Sequence, residues 1–556
     1  MNKKVCSFPI LFALLALLIG TCAVVFPASA QAAPTSTGSI TVSGTVARSY
    51  DAYQIFSANV VDGDSDAKIA TELAWASDAV RDAALPVLHS AGMPNSQTTA
   101  QEAAEWLNTD SHLTGALSAQ LARSLQSSVT VPVALNAGTA AELPCGYWLI
   151  VADDATISQD EAGTAPIMAL VGGSAVTVKP KAATPKVAKH VLEDSTAAWQ
   201  KAADATVADD LYWRLSATVP AGLTAYDTYT VRFVDTMSAG LDPSKVAASM
   251  RVYVAAGADG GIDAVSAGKD GRAVTEPAKG WTDITAQCAT KVAADVKTFT
   301  VRTGDLIAAL GGADAFTAGA RVVAVYNAPL NSACSHGIAK GNPNEVYLRY
   351  PSSPFADQSG DAGFTRTPSD DACAYTWDLA LTKRGSDGDK PLAGAVLSIA
   401  DDRGRTLAAD GTWDAEGKAT VTTGEDGRVT VSGVDSGKLE VREIKAPKGY
   451  TAFEGTRSVT VKAEGLDVDQ VAAAKPKLTI TAESPLRADS ADGSTGSLEA
   501  SLINAPTGTP PSITTGGFMP STGDMAMYAA AAAAAAAAAL IVVALLVKRG
   551  GGSHKE

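Results

Sequence analysis

The chain has 556 residues, more than a single hydrophobic core usually supports, so about three domains are expected once terminal segments are set aside. Lysine plus arginine number 44 against 59 aspartate plus glutamate, a formal charge of -15, and no basic patch stands out against that field, which excludes nucleic-acid binding. Hydrophobic residues reach 46%, with Val, Ile and Tyr spread throughout, which excludes a chain too polar to fold. Met1 to Ala30 has a basic start (Lys3, Lys4), an apolar stretch from Phe8 to Ile19 and the small-residue sequence Ala28-Ser29-Ala30, the three-part design of a secretory signal peptide. Cys22 follows Ile19-Gly20-Thr21, a poor lipoprotein acceptor site, and is expected to leave with the leader.

Residues 38–180 open with the strand alternation Ile40-Val42-Gly44-Val46 and with Tyr53-Gln54-Ile55-Phe56. They close with Tyr147-Trp148-Leu149-Ile150-Val151 and Val176-Thr177-Val178. Between these, Ala67 to Leu85 and Thr98 to Leu125 are alanine-rich with apolar residues at three and four spacing. They predict helices, the first stopped by Pro86 and the second capped by Ser96 or Thr98. A strand domain carrying a helical insertion is similar to the N-terminal domain of backbone pilins. At its exit, Val178-Lys179-Pro180-Lys181 resembles the pilin motif Val-Tyr-Pro-Lys, with Lys179 in place of the tyrosine. The proline stiffens the junction and would hold out an unhindered amine. The resemblance implies that Lys181 is the amine resolving a sortase thioester, with Lys179 and Lys186 as competitors.

Residues 185–354 and 376–505 are strand-rich with turn residues at short intervals, which predicts two immunoglobulin-like β-sandwiches in a mainly β protein. Ser352 to Ala372, full of Ser, Asp, Gly and Pro, reads as the linker between them. In the second domain Lys189 shares a strand face with Val187 and Val191, and Asn344 shares one with Val346, Leu348 and Tyr350. Asp235 to Leu241 and Gly341-Asn342-Pro343-Asn344 to Tyr350 resemble the fimbrial second-domain family. The resemblance implies an isopeptide bond between Lys189 and Asn344 with Asp235 as proton donor; Asn342, of the same strand parity, is the rival acceptor. In the third domain, Glu443-Ile444-Lys445-Ala446-Pro447-Lys448-Gly449-Tyr450 resembles the E-box of pilin and collagen-binding B-type domains, which implies a bond between Lys383 and Asn504 with Glu443 as donor. The chemistry suits such sites. Apolar surroundings lower a lysine pKa, making the amine neutral and nucleophilic, and raise a carboxyl pKa, so that it can donate a proton to the amide.

Residues 507–518, rich in Gly, Pro, Thr and Ser, read as a flexible leash. Met519-Pro520-Ser521-Thr522-Gly523, a charge-free run from Met525 to Val547 and the basic tail 548–556 then follow in order. The run is long enough to cross a bilayer at about 1.5 Å per residue, and Lys548-Arg549 would keep the end cytoplasmic. The whole resembles the sortase sorting signal of Gram-positive bacteria, with Met519 where Leu is usual, and implies cleavage between Thr522 and Gly523.

Six cysteines include two in the leader. The remaining Cys145, Cys288, Cys334 and Cys373 are widely spaced, permitting three full pairings or unpaired burial. With the five histidines also scattered, neither a metal nor a cofactor is indicated. There is no nucleophile–base arrangement, glycine-rich phosphate loop or carboxylate pair in a recognisable motif, so an enzyme beyond self-modification is not expected. The expected function is a pilus-shaft subunit joined Thr522 to Lys181 in a head-to-tail fibre. Its partners would be further copies, pilin-type and housekeeping sortases, peptidoglycan, minor pilins and host surface ligands. The alternative is a monomeric wall-anchored adhesin or a tip or basal pilin, which does not need Lys181.

Overall fold

The structure is a computed structural model describing residues 36–508 apart from 45–47, 65–66, 110–111, 130, 159–160, 181–183, 220, 222, 258–264, 268–273, 296, 313–314, 316–318 and 357. The leader, Lys181, the sorting pentapeptide Met519–Gly523, the run from 525 to 547 and the tail lie outside the described residues, as does all of the leash beyond Gly508. Among the described residues no helix is long and apolar enough to cross a membrane. The fold is mostly β, in three successive units.

The first unit sets a small sheet of Ala140–Pro144, Thr37–Val42 and Val176–Val178 against a larger one built on the strands Ser49–Asp62 and Gly146–Ala152. The unbroken apolar run from Trp148 to Val151 is explained by burial on both faces. Trp148 and Ile150 pack with Ile40, Val42 and Tyr50, while Leu149 and Val151 pack with Phe56 and the helices. The alanine-rich insertion differs from expectation. Lys68–Trp75 is a strand paired with Ser49–Asp62 and bulged at Glu72, with Ala70 buried before the bulge and Leu73 and Trp75 half-buried after it; that pairing overrides the helical preference of the alanines. Helix α1 runs Asp78–Ser90 from a Ser77 cap and carries Pro86 inside it rather than ending there. The second alanine-rich stretch holds two helices, α2 (Ala100–Asn108) and α3 (Gly115–Ser128). Thr99 caps α2 in a reciprocal box with Glu102, in place of the expected Ser96 or Thr98.

The second unit is a two-sheet sandwich. One sheet contains Lys186–Glu193, Tyr212–Val219 and Ala320–Asn327 side by side; the other contains Asn342–Pro351, Arg232–Met237 and Thr298–Arg302. The expected linker is no linker. Phe364–Arg366 pairs with Asn342–Pro351, and Asp370–Tyr375 inserts between that strand and Ala202–Asp204. Ala372 and Ala374 are fully buried in the sandwich core, so the last strand of the unit comes from a segment whose Ser, Asp and Gly content suggested a connector.

The third unit begins immediately, at Trp377. Its opening strand Trp377–Gly385 and closing strand Ser497–Asn504 run parallel and adjacent, with Lys383 opposite Leu502 and Gly385 opposite Asn504. The facing sheet holds Val396–Ala400, Gly437–Lys445, Thr456–Glu464 and Lys477–Ala482 around a core of Leu379, Leu381, Ile399, Val441 and Leu502. The seam between the second and third units is polar: the Trp377 indole donates to Asp204 at 2.6 Å, and Arg405 forks onto Asp209 at 2.5 and 2.8 Å. Cys145, Cys334 and Cys373 are buried and Cys288 partly so, all as free thiols; burial pushes those of Cys288, Cys334 and Cys373 up to about 11.

Candidate isopeptide centres

In the second unit Lys189, Asp235 and Asn344 are each fully buried and come from three different strands. Lys189 points inward from Lys186–Glu193. Asp235 and Asn344 lie on neighbouring antiparallel strands, where Met237 is opposite Asn344 and Asp235 opposite Val346, so both face the core two residues apart in register. The Lys189 amine pairs with Asp235 Oδ2 and lies over the rings of Trp213 and Tyr326 at 5.5 and 5.4 Å. Burial pushes it down to about 8 against the opposing pull of Asp235 and Asp370. Burial likewise raises the Asp235 carboxyl, opposed by the attraction of Lys189. A charge pair so enclosed is costly to desolvate, and it favours transfer of the proton from amine to carboxyl.

Asn342 is placed differently. Its carboxamide is consumed locally, accepting from Ser335 N at 2.8 Å and donating to Ser335 O and Ala374 O at 2.9 and 3.1 Å. The backbone closes over it, since a Cβ on Gly240 would stand 2.2 Å from its Oδ1. Asn344, by contrast, leaves Oδ1 without a hydrogen-bond partner and donates Nδ2 to the Tyr326 hydroxyl that bonds the Lys189–Asp235 pair.

Sequence reasoning missed three residues here. Tyr326 Oη lies 2.9 Å from Lys189 Nζ, 3.0 Å from Asp235 Oδ2 and 2.8 Å from Asn344 Nδ2. Its signal was available: Val322, Ala324 and Tyr326 share the inward face of one strand, and a buried tyrosine needs a partner for its hydroxyl. Asp370 accepts from Lys189 N at 2.6 Å and pairs with Lys201, whose amine also reaches Lys189 O at 2.9 Å. Together they fix the backbone of the lysine-bearing strand.

The third unit assembles Lys383, Glu443 and Asn504 in a simpler way. Lys383 Nζ is fully buried, 3.5 Å from Glu443 Oε1 and 3.3 Å from Leu502 O, and burial pushes it down to about 8. Asn504 Nδ2 donates directly to both Glu443 oxygens at 2.9 and 3.0 Å, and its Oδ1 accepts nothing. The Phe453 N–H holds Glu443 Oε2 at 3.1 Å. Among the described residues no cluster of His, Cys, Asp and Glu has the form of a metal site.

Residues 378–475 match the family described as the SpaA prealbumin-like fold domain. The trypsin-resistant surface T6 protein of Streptococcus pyogenes serotype M6 is 29% identical over 143 residues, 24% of this chain and 24% of that protein; the chain thus spans about a quarter of the length of this curated relative. Similar solved structures include the T6 backbone pilin of the same serotype, at TM-score 0.46 and 16% identity over 86% of this chain and 100% of that one. The full-length major pilin SpaD of Corynebacterium diphtheriae is similar at TM-score 0.40 and 15% identity, over 85% of this chain and 98% of that one.

Proposed function

We propose that this chain is a structural subunit of a covalent surface pilus, exported through the leader 1–30 and polymerised by a pilin-type sortase. The Thr522 carbonyl of one copy is passed to the Lys181 amine of the next, and the last copy is attached to peptidoglycan by a housekeeping sortase. Minor pilins and host surface ligands are the further partners of such a fibre. The observation that carries the reading is the pair of buried lysine–carboxyl–asparagine centres, one in each sandwich that lies between Lys181 and Thr522.

In each centre the neutral lysine amine attacks the asparagine Cγ, the carboxyl (Asp235 or Glu443) supplies a proton to the amide, and ammonia leaves. The product is an isopeptide bond from Lys189 to Asn344 or from Lys383 to Asn504, formed once and without turnover. Two features support this chemistry. Burial lowers both amines to about 8, and both asparagines present an unengaged carbonyl oxygen.

Co-expression with a pilin-type sortase tests the polymer. A heat-resistant ladder on a denaturing gel is expected from the intact chain and is lost in Lys181→Ala. A chain that stays monomeric would support an anchored adhesin instead, and a ladder that survives the substitution would move the linkage to Lys179 or Lys186.

A further inference from the structure

We propose that Tyr326 is a catalytic residue of the second unit's self-ligation, its hydroxyl carrying a proton from the Lys189 amine to the departing Asn344 nitrogen. The inference rests on the isopeptide reading above and concerns how that one bond forms.

The geometry separates the two centres. In the third unit the carboxyl of Glu443 touches the leaving nitrogen of Asn504 itself, through both oxygens. In the second unit the Asn344 Nδ2 hydrogen bond goes to Tyr326 Oη, and that hydroxyl is also bonded to Lys189 Nζ and Asp235 Oδ2. A single oxygen therefore contacts the nucleophile, the acid and the leaving group. All four side chains are fully buried, so bulk water is not at hand to move the proton. The ring is held by an edge-to-face contact with Phe299 at 4.8 Å, which fixes where the hydroxyl points.

The step balances without a co-reactant. Lys189 starts as a neutral amine beside a protonated Asp235. Its Nζ forms a bond to Asn344 Cγ, and the carbonyl oxygen takes the developing charge under hydrogen bonding from the acid. The Cγ–Nδ2 bond then breaks. The departing NH2 needs one proton to leave as ammonia, and Nζ must lose one to become an amide. Tyr326 Oη touches both nitrogens: it accepts the proton from Nζ and delivers its own to Nδ2, ending as it began. Burial holds the phenol far above its usual pKa, so it remains protonated throughout as a relay must.

The test follows bond formation in the full chain made by cell-free translation, quenched in acid at intervals and digested. The two cross-linked peptides, Lys189–Asn344 and Lys383–Asn504, are quantified by mass spectrometry. In Tyr326→Phe the first link is expected to form at least about tenfold more slowly, with the second forming at the wild-type rate as an internal control. An unchanged first rate overturns the inference. Absence of the first link from the wild-type chain would instead overturn the isopeptide reading of this unit, and the relay with it. Should limited proteolysis show that Tyr326→Phe misfolds, 3-fluorotyrosine placed at position 326 alone keeps the shape and makes the phenol more acidic. A relay changes the rate of the first link and not of the second; an unchanged first rate overturns it.

Discussion

Asp235 and Asn344 can be separated by what each removal leaves behind. Asn344→Ala abolishes the proposed link but keeps the Lys189–Asp235 pair. Asp235→Ala abolishes the link and also strands a buried amine against Tyr326 alone. Leaving a buried neutral hydrogen-bonding group without its partner costs about 1–3 kcal/mol, so Asp235→Ala should be less stable than Asn344→Ala by that amount in denaturant melts. Both chains should weigh one ammonia more than a linked wild type, and equal stability of the two would show that the Lys189–Asp235 contact contributes nothing to folding. Most of the residues needed for this argument are legible in the sequence. Two-residue alternation puts Lys189, Asn344, Lys383 and Asn504 on inward faces, and the flanking motifs single out Asp235 and Glu443. The choice between Asn342 and Asn344 is not legible, because equal parity gives them the same face; only the turn that ties Asn342 to Ser335 separates them. Tyr326 escapes for a different reason, since a tyrosine in an apolar strand reads as core until its hydroxyl has neighbours.

At the level of elements, the seam between the second and third units gathers acids. Glu193 and Asp204, at the edge of one sandwich, face Asp435 on the other, with Asp194 and Asp402 nearby; Arg403 and Arg405 are engaged by Asp209, and Arg405 also by Asp401. Hydrogen bonds from Ser195, Ser436 and Trp377 offset only part of the desolvation. Burial, with the charge of Asp204, pushes the Glu193 carboxyl up to about 8, and Asp204 and Asp435 are raised as well. A carboxyl raised on folding contributes its stability fully below its ordinary pKa, and that contribution is lost as pH rises through the folded value. The melting temperature of the paired units should therefore fall between about pH 5 and pH 8. Calorimetry on Glu193→Gln should show a shallower fall, and an unaltered pH slope would remove Glu193 from the account. None of this seam was legible, because it depends on Ala202–Asp204 pairing with Asp370–Tyr375 and on Thr376 being the whole connection. The segment before that strand has linker composition, and composition does not register two buried alanines. The Lys68–Trp75 strand is hidden for a related reason: its alanine content favours a helix, and the bulge at Glu72 breaks the two-residue alternation that would mark a strand.

For the whole molecule, the position of each centre along the chain decides what a pull would extend. Lys383 and Asn504 bracket nearly all of the third unit, which should not lengthen. Lys189 and Asn344 do not bracket the second, because its last strand, Asp370–Tyr375, comes after Asn344. Tension entering at Lys181 would cross the link to Asn344 and then run through residues 345–375, whose described residues are held by hydrogen bonds, packing and the Lys201–Asp370 and Arg232–Asp361 pairs. Pulled from 181 to 522, a linked subunit should give one extension of at most about 100 Å from roughly 30 residues at about 3.3–3.6 Å each. Asn344→Ala should release several times that length, and a rigid wild type with no such step would show that the last strand does not peel. The mainly β class of the chain was plain from its alternation, but this unequal bracing follows from strand order, which no local pattern encodes.

The first unit, Thr37 to Val178, ends before Lys181. In a fibre joined at that lysine it would lie outside the covalent line of tension, meeting that line where Ser352, Ser353 and Thr365 hydrogen-bond to Gly163, Asp154 and Ser158. Among the described residues it assembles no lysine–carboxyl–asparagine centre; its half-buried Lys68 bonds Asp62, Gly172 and Ser174 at the surface. The two properties have one cause. A module outside the covalent line of force can be held by ordinary packing, and in such a fibre its helices and loops would be free to diverge without weakening the proposed shaft.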